Sequence, residues 1–234
     1  MAFTKELRTE LVSLLGEDWV KDDPVTLYTY RCDGLTLYTA PPMGVVFPGN
    51  RNELVEVVKK LHSRKIPFVP RGAGTGLSGG AVPREQSVII EMARFKEIHD
   101  IDWLNRTITV GPGVINLRIS EKVQPDGYHY VPDPSSQKAC TIGGNVAENS
   151  GGPHTLKYGV TVNHVLGLEM VLPDGEVVEL GGKTFPIAGP DMLALVIGSE
   201  GTFGIVTKIT CRLTPNPEKA ITLLGVFDSV HKAC

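Results

Sequence analysis

Apolar residues recur at i, i+3, i+4 and i+7 in "NELVEVVKKLHSRK", at Leu54, Val57, Val58 and Leu61, and predict a helix with one buried stripe. Phe3, Leu7, Leu11, Leu14 and Leu15 repeat that spacing near the amino terminus. Acidic residues among them favour an amphipathic helix over a signal peptide. "IPFVP", "SVIIEM" and "RTITVGPGV" read as strands rich in β-branched residues, and a further helix is expected near Val114. "VLGLEMVLPDGEVVELGG" is two apolar runs joined by Pro173-Asp174-Gly175, a hairpin pattern. Asp191 can cap a short helix, and "GIVTKITCRLTP" alternates as a strand with Ile205, Thr207, Ile209, Cys211 and Leu213 on one face. Helices mixed with antiparallel hairpins predict an α+β architecture. At the carboxyl end "AITLLGVF" reads as a strand, and "DS" as a helix N-cap followed by five residues. A helix rarely stops inside its first turn, which leaves either a frayed terminus or a chain cut inside a further domain.

Composition narrows the function classes. The formal net charge of −3 over 234 residues argues against a nucleic-acid binder. Cys32, Cys140, Cys211 and Cys234 are scattered without a CxxC, so they read as reduced thiols of a cytoplasmic protein, with no metal centre built from them. No apolar run reaches the ~18 residues of a membrane span.

The chemistry is concentrated in "VPRGAGTGLSGGAVP", Val69 to Pro83, which places five glycines between Arg71 and Gly80. Each glycine costs about 0.5–1 kcal/mol of backbone entropy relative to alanine, so something must require bare backbone there. Gly74 to Gly79 match G-x-G-x-x-G, but a strand-like "SVIIE" follows where a dinucleotide fold needs a helix, and no Gly-Lys-Ser/Thr marks a P-loop. A solvated turn would carry more charge than the single Arg71. A nest of N–H groups for an anion fits better, since three or four hydrogen bonds at about 1.5–3 kcal/mol each outweigh the glycine cost. "TIGGNVAENSGG" (141–152) and "GSEGTFGIV" (198–206) share this character. Three such loops call for a large ligand with several polar groups, such as a dinucleotide.

With "YRCDGL" (30–35), "VPDPSS" (131–136), "KYGVT" (157–161) and "LPDGEVVELGG" (172–182) added to those loops, the chain from about Tyr28 onward resembles the flavin-binding half of the glycolate oxidase D subunit and D-lactate dehydrogenase family. That family shares its PCMH-type FAD-binding domain with p-cresol methylhydroxylase and vanillyl-alcohol oxidase. The resemblance implies an N-terminal helical arm over 1–37, a two-subdomain FAD domain over 38–217, and the start of a truncated cap domain over 218–234. Pro70, Arg71, Gly72, Ala73, Gly74, Thr75, Gly76, Leu77 and Ser78 would wrap the pyrophosphate. Pro132, Asp133, Ser135 and Ser136 would lie along the flavin, near Thr141, Gly143, Gly144 and Asn145. Gly151, Gly152 and Gly159 would admit the isoalloxazine, and Glu200, Gly201, Ile205 and Val206 would flank the adenosine. Some relatives attach FAD through a histidine where this chain has Thr75, so FAD is expected to be non-covalent.

The resemblance further implies oxidation of a small D-2-hydroxy acid, of glycolate or D-lactate type, with electrons passed to an iron–sulfur subunit or quinone-linked acceptor. It implies a cytoplasmic location, peripheral to a membrane only through a partner. A flavin-binding module without turnover is the alternative. No catalytic base or carboxylate clamp stands out. His154, Lys157 and Tyr158 suit substrate chemistry and a solvated loop equally well. Glu200 could be an ordinary capping carboxylate. His129 and His164 read as structural, and His62 and His99 as exposed helix or loop residues.

Overall fold

The structure is a computed structural model that describes residues 3–183 and 189–234. In chain order the helices are α1 (Lys5–Leu15), α2 (Pro24–Thr29), α3 (Arg51–Ser63), α4 (Asn116–Val123), α5 (Ile142–Glu148), α6 (Thr155–Tyr158), α7 (Met192–Val196) and α8 (Val230–Ala233). The strands are β1 (Val20–Lys21), β2 (Gly44–Val46), β3 (Phe68–Arg71), β4 (Val88–Glu91), β5 (Ile98–Asp102), β6 (Thr107–Val110), β7 (Tyr128–His129), β8 (Val165–Val171), β9 (Val177–Gly181), β10 (Ile205–Arg212) and β11 (Thr214–Pro215).

The expected stripes are buried. Leu54, Val57, Val58 and Leu61 of α3 pack with Leu7, Leu11 and Leu15 of α1 against the first sheet. Asn50 caps α3 by accepting from the Glu53 N–H, and Asp191 caps α7 by accepting from the Ala194 N–H. The first sheet has the order β1-β2-β4-β3, with β2, β4 and β3 parallel and β1 antiparallel at the edge. This parallel set was not read from the sequence, because β2 is only three residues long. The second sheet, β5-β6-β10-β8-β9, is antiparallel throughout and includes the expected β8–β9 hairpin. Its core holds Ile108, Val110, Ile119, Ile142, Ile209 and Cys211. Val171 and Ile205 of that sheet also pack into the first core, so the two layers meet at the ends of β8 and β10.

One ionic knot fastens them. The buried Glu169 carboxylate on β8 accepts from Arg51 of α3 (3.1 Å), Thr207 Oγ1 (2.8 Å) and Lys208 (3.2 Å). Arg51 and Lys208 are about half exposed and regain water if the carboxylate goes. Glu169→Ala is therefore expected to lower stability by only about 1–2 kcal/mol, read as a shift of the urea midpoint.

The carboxyl end departs from expectation. Residues 220–227 form no strand and are exposed, because no strand among the described residues lies beside them to pair with. Ser229 does cap the short α8. His62 lies on α3 as expected, whereas His99 is exposed on strand β5. Among the described residues no helix is long and apolar enough to cross a membrane.

Candidate functional site

Adjacent parallel strands need a crossover, usually a helix. Here the link from β3 to β4 is the glycine-rich segment 72–87, which leaves the carboxyl end of β3, the edge where open α/β sheets bind ligands. It returns to the sheet without any regular helix.

The loop is shaped from inside by Arg71, which is 8% exposed. Its Nη1 donates to the carbonyl oxygens of Cys32 (2.8 Å) and Ala81 (3.0 Å). Gly74 sits at φ +66°, and a Cβ there would collide with the Arg71 guanidinium. A second strap comes from "YRCDGL". Asp33, also buried, accepts from the Leu35 and Gly79 N–H groups at 2.9 Å each, and the Gly34 N–H donates to the Gly76 carbonyl at 3.0 Å. The sequence marked Asp33 only as part of a motif; its role as a strap depends on the fold.

The other two glycine-rich segments reach the same place. Thr141 caps α5, and its hydroxyl lies so close under Gly72 that any Cβ there would strike it. The Gly198 and Glu200 N–H groups donate to Val146 and Ala147 carbonyls of α5 at 2.8 Å each. Gly201 packs against the Pro70 ring. Glu200 is held in the left-handed region at φ +54°, an uncommon conformation for a residue with a Cβ.

Between these loops lies a cleft of roughly 350 Å³, within the common size range of cofactor sites. Of the residues expected at a cofactor, Pro70, Arg71, Gly72, Ala73, Gly74, Thr75, Gly76, Leu77, Ser135, Ser136, Thr141, Gly143, Gly144, Asn145, Glu200, Gly201, Ile205 and Val206 line it. Ser78, Pro132, Asp133, Gly151, Gly152 and Gly159 do not. Ser78 instead donates to Glu148 (2.6 Å), and the Pro132 carbonyl accepts from the buried Asn116 side chain (2.9 Å). Asp133 is wedged against Gly152. Gly159 turns at φ +84° beside Asn163. Sequence reasoning missed Met92, Pro112, Cys140, Val146, Glu148, Ser150 and Val196 in the lining. Glu148 and Ser150 stood inside a flagged motif; Met92 and Val196 were hidden in apolar runs.

Electrostatics around the cleft are set by burial. Glu91, opposite Arg71 in the β3–β4 register, is 5% exposed, and burial pushes its carboxyl up to about 7 against the pull of Arg71. Burial likewise raises the Cys140 thiol and pushes the Cys211 thiol up to about 12, which leaves both protonated and unreactive. Buried His164 is held below the ordinary imidazole value, chiefly by desolvation, and its Nε2 pairs with the Tyr158 carbonyl (2.9 Å). His164 is a structural histidine, as expected.

A strapped loop of bare N–H groups facing a cleft with apolar walls is the architecture of a dinucleotide-binding domain of the flavoprotein kind. A family model for an FAD binding domain matches residues 42–181, and the chain belongs to that family. Over 204 residues it is 51% identical to the glycolate oxidase subunit GlcD of Escherichia coli, covering 87% of this chain and 41% of that protein. It is 40% identical to the Bacillus subtilis GlcD (98% and 49% covered) and 37% identical to a D-lactate dehydrogenase of Archaeoglobus fulgidus (87% and 47%). The chain therefore spans less than half the length of these curated relatives. A solved alkyldihydroxyacetonephosphate synthase superposes with a TM-score of 0.82 at 24% identity, over 92% of this chain and 41% of that one, which shows the PCMH-type fold.

FAD is the cofactor of this domain, and the residues present fit it. A pyrophosphate needs backbone that it can approach closely, and Gly72, Gly74 and Gly76 line the cleft, where a Cβ would crowd Thr141, Arg71 and Glu148 respectively. Asn145 Nδ2 is buried with no hydrogen-bond acceptor among the described residues, a donor that a bound polar group would satisfy. Met92, Pro112, Val146, Val196, Ile205 and Val206 supply apolar surface for planar rings.

Proposed function

We propose that this chain is the FAD-binding part of a flavin-dependent dehydrogenase that oxidises a small D-2-hydroxy acid, of glycolate or D-lactate type, to the 2-oxo acid. The observation that carries this reading is the convergence of three separate glycine-rich segments on one cleft, in a chain 51% identical to a glycolate oxidase subunit. Arg71 through Leu77 hold the pyrophosphate by backbone, with Pro70 lining the cleft beside them and Ser78 bonded to Glu148 behind them. Ser135, Ser136, Thr141, Gly143, Gly144 and Asn145 line the flavin half, with Pro132, Asp133, Gly151, Gly152 and Gly159 shaping the wall behind them. Glu200, Gly201, Ile205 and Val206 lie at the adenosine half. Bound FAD supplies the electron sink, while the protein orients it and sets its surroundings. Thr75 has no imidazole for a covalent link, so FAD is held non-covalently. The 1–37 helical segment, the 38–217 FAD domain and the beginning of a cap domain from 218 form the organisation of this reading. An iron–sulfur subunit accepts the electrons, in the cytoplasm, with any membrane contact made through that partner.

A second reading, a flavin-binding module without turnover by itself, is favoured by the spans of 41–49% of the relatives' lengths. Visible spectra of the FAD-loaded chain, with glycolate or D-lactate added under anaerobic conditions, separate the two. Acid precipitation is expected to release all of the FAD. Bleaching by a hydroxy acid supports the enzyme reading, and bound flavin without bleaching supports the module. A folded chain that takes up no FAD refutes both.

A further inference from the structure

The cleft is poor in positive charge. Of the side chains that line it only Arg71 is cationic, while Glu148 and Glu200 are acidic. A pyrophosphate brings a negative charge on each phosphate, so its binding favours any neighbouring acid that can give up its own charge.

Glu91 is placed to do so. Val88 and Ile90 of β4 enter the core with α1 and α3, so alternation along the strand turns Glu91 to the opposite face of the sheet. It shares that face with Arg71, its partner in the β3–β4 register, and both side chains are buried. The Arg71 guanidinium is occupied elsewhere. Its Nη1 donates to the Cys32 and Ala81 carbonyls, and its Nη2 lies against Gly74, a cleft residue. Glu91 therefore has no close ion pair, only the more distant pull of Arg71 and the N–H groups of Met92 and Ala93. Met92, the next residue, lines the cleft.

The rest of its surroundings carry little free charge. Tyr30, at the end of α2, has its ring centre 5.3 Å from the Arg71 guanidinium, and its hydroxyl feels the charge of Glu91. The strand on the other side of β4 is β2, which is Gly44, Val45 and Val46. Arg94, three residues on, is bonded to the Phe47 carbonyl and paired with Glu53. On the covering segments Arg31 lies over the Tyr28 ring, Asp33 is held by the Leu35 and Gly79 N–H groups, and Arg84 and Glu85 are exposed. A carboxyl enclosed in this way titrates at about 7.

We propose that FAD binding is coupled to a proton on Glu91, which the buried carboxylate takes up from solvent as the pyrophosphate settles on the glycine loop. The coupling acts through Arg71, which makes Glu91 a positioning residue for charge rather than a contact of the cofactor. With Glu91 neutral, the guanidinium charge is turned wholly toward the loop and its anion. With Glu91 ionised, part of that charge is cancelled from behind. Linkage is reciprocal: FAD raises the proton affinity of Glu91 by the same factor as the proton raises the affinity for FAD. The sign follows from this. FAD is held most tightly below the titration of the free protein, and its affinity falls as pH rises through it. The inference draws on the cofactor of this fold alone and is independent of the hydroxy acid proposed above.

The whole chain is titrated with FAD, followed by quenching of flavin fluorescence and by calorimetry in phosphate and in Tris, whose heats of ionisation differ. The wild type is expected to lose about five- to tenfold in FAD affinity between about pH 6 and about pH 8.5, and to take up about half a proton per FAD at about pH 7.5. Glu91→Gln keeps the shape without the charge. Across this range it should stay within about twofold of the wild type's tightest affinity and take up less than about a tenth of a proton. Glu91→Met, apolar and of similar length, serves in its place if the amide does not fold. The infrared difference between FAD-bound and free wild type reads the same event directly: a carboxylic acid C=O band should grow as carboxylate bands shrink, and the variants should lack it. A wild type that takes up no FAD refutes the cofactor reading itself. Bound FAD with a flat pH profile and no proton uptake overturns the coupling. Uptake that survives in the Glu91 variants overturns it too, by moving the proton to another acid such as Glu148 or Glu200.

Discussion

Arg71→Leu is expected to cost the chain its cofactor while leaving most of its helices in place. The Arg71 side chain is buried, and its guanidinium is the inner partner of the Cys32 and Ala81 carbonyls, on two segments that fold over the glycine loop. Leucine fills much of the space but donates nothing, so both carbonyls lose a charge-assisted bond. At about 1.5–3 kcal/mol for each hydrogen bond to a charged group, the loop loses about 4 kcal/mol of preorganisation. If that loss falls on the bound state, FAD affinity drops by about 10³-fold. Fluorescence titration with FAD measures it, and a change of less than about fivefold would show that the loop holds its shape without the guanidinium. Sequence reasoning had placed Arg71 against the pyrophosphate. The structure also makes it a strut, its Nη1 bonded to two carbonyls of the segments that fold over the loop, while the residue itself lines the cleft.

The second large effect is on stability as a function of pH. Glu91 is displaced upward to about 7, first by burial, with Arg71 pulling the other way. The folded protein therefore binds the Glu91 proton more tightly than the unfolded chain does, whose glutamates titrate near 4.3. The stabilisation is fully present below that unfolded value and is lost as pH rises through the folded value near 7. Between about pH 4.5 and 7.5 the loss is about 3 kcal/mol, at about 1.4 kcal/mol per unit of displacement. Urea melts across this window should show the midpoint falling with pH, and Glu91→Gln should remove most of that slope. A midpoint in Glu91→Gln that still falls as steeply would assign the effect elsewhere. The two predictions are coupled, since loss of the Arg71 charge removes the largest pull that draws Glu91 downward, beside the smaller ones of the Met92 and Ala93 backbone.

What could be read from the sequence divides along physical lines. The stripes of α3 and β10 were legible because burial is periodic, and a period survives in one dimension. The three glycine clusters were legible because glycine is costly where nothing requires it. Asp33, Glu91 and Glu148 were not, because each acts through a partner far along the chain: Gly79, Arg71 and Ser78 respectively. The tail at 220–227 shows the opposite failure. Its β-branched pattern is real, but a strand exists only as half of a pair, and composition does not provide the other half.

The helix-free link between β3 and β4 also bears on how the molecule assembles. The β8–β9 and β5–β6 pairs join neighbours across short turns, so they can form early and locally. Pairing β3 with β4 must close a long, glycine-rich loop first, with its large entropy of closure. The glycine loop must therefore be ordered as β3 meets β4, and free FAD present during refolding is expected to speed this step by gathering that loop around itself.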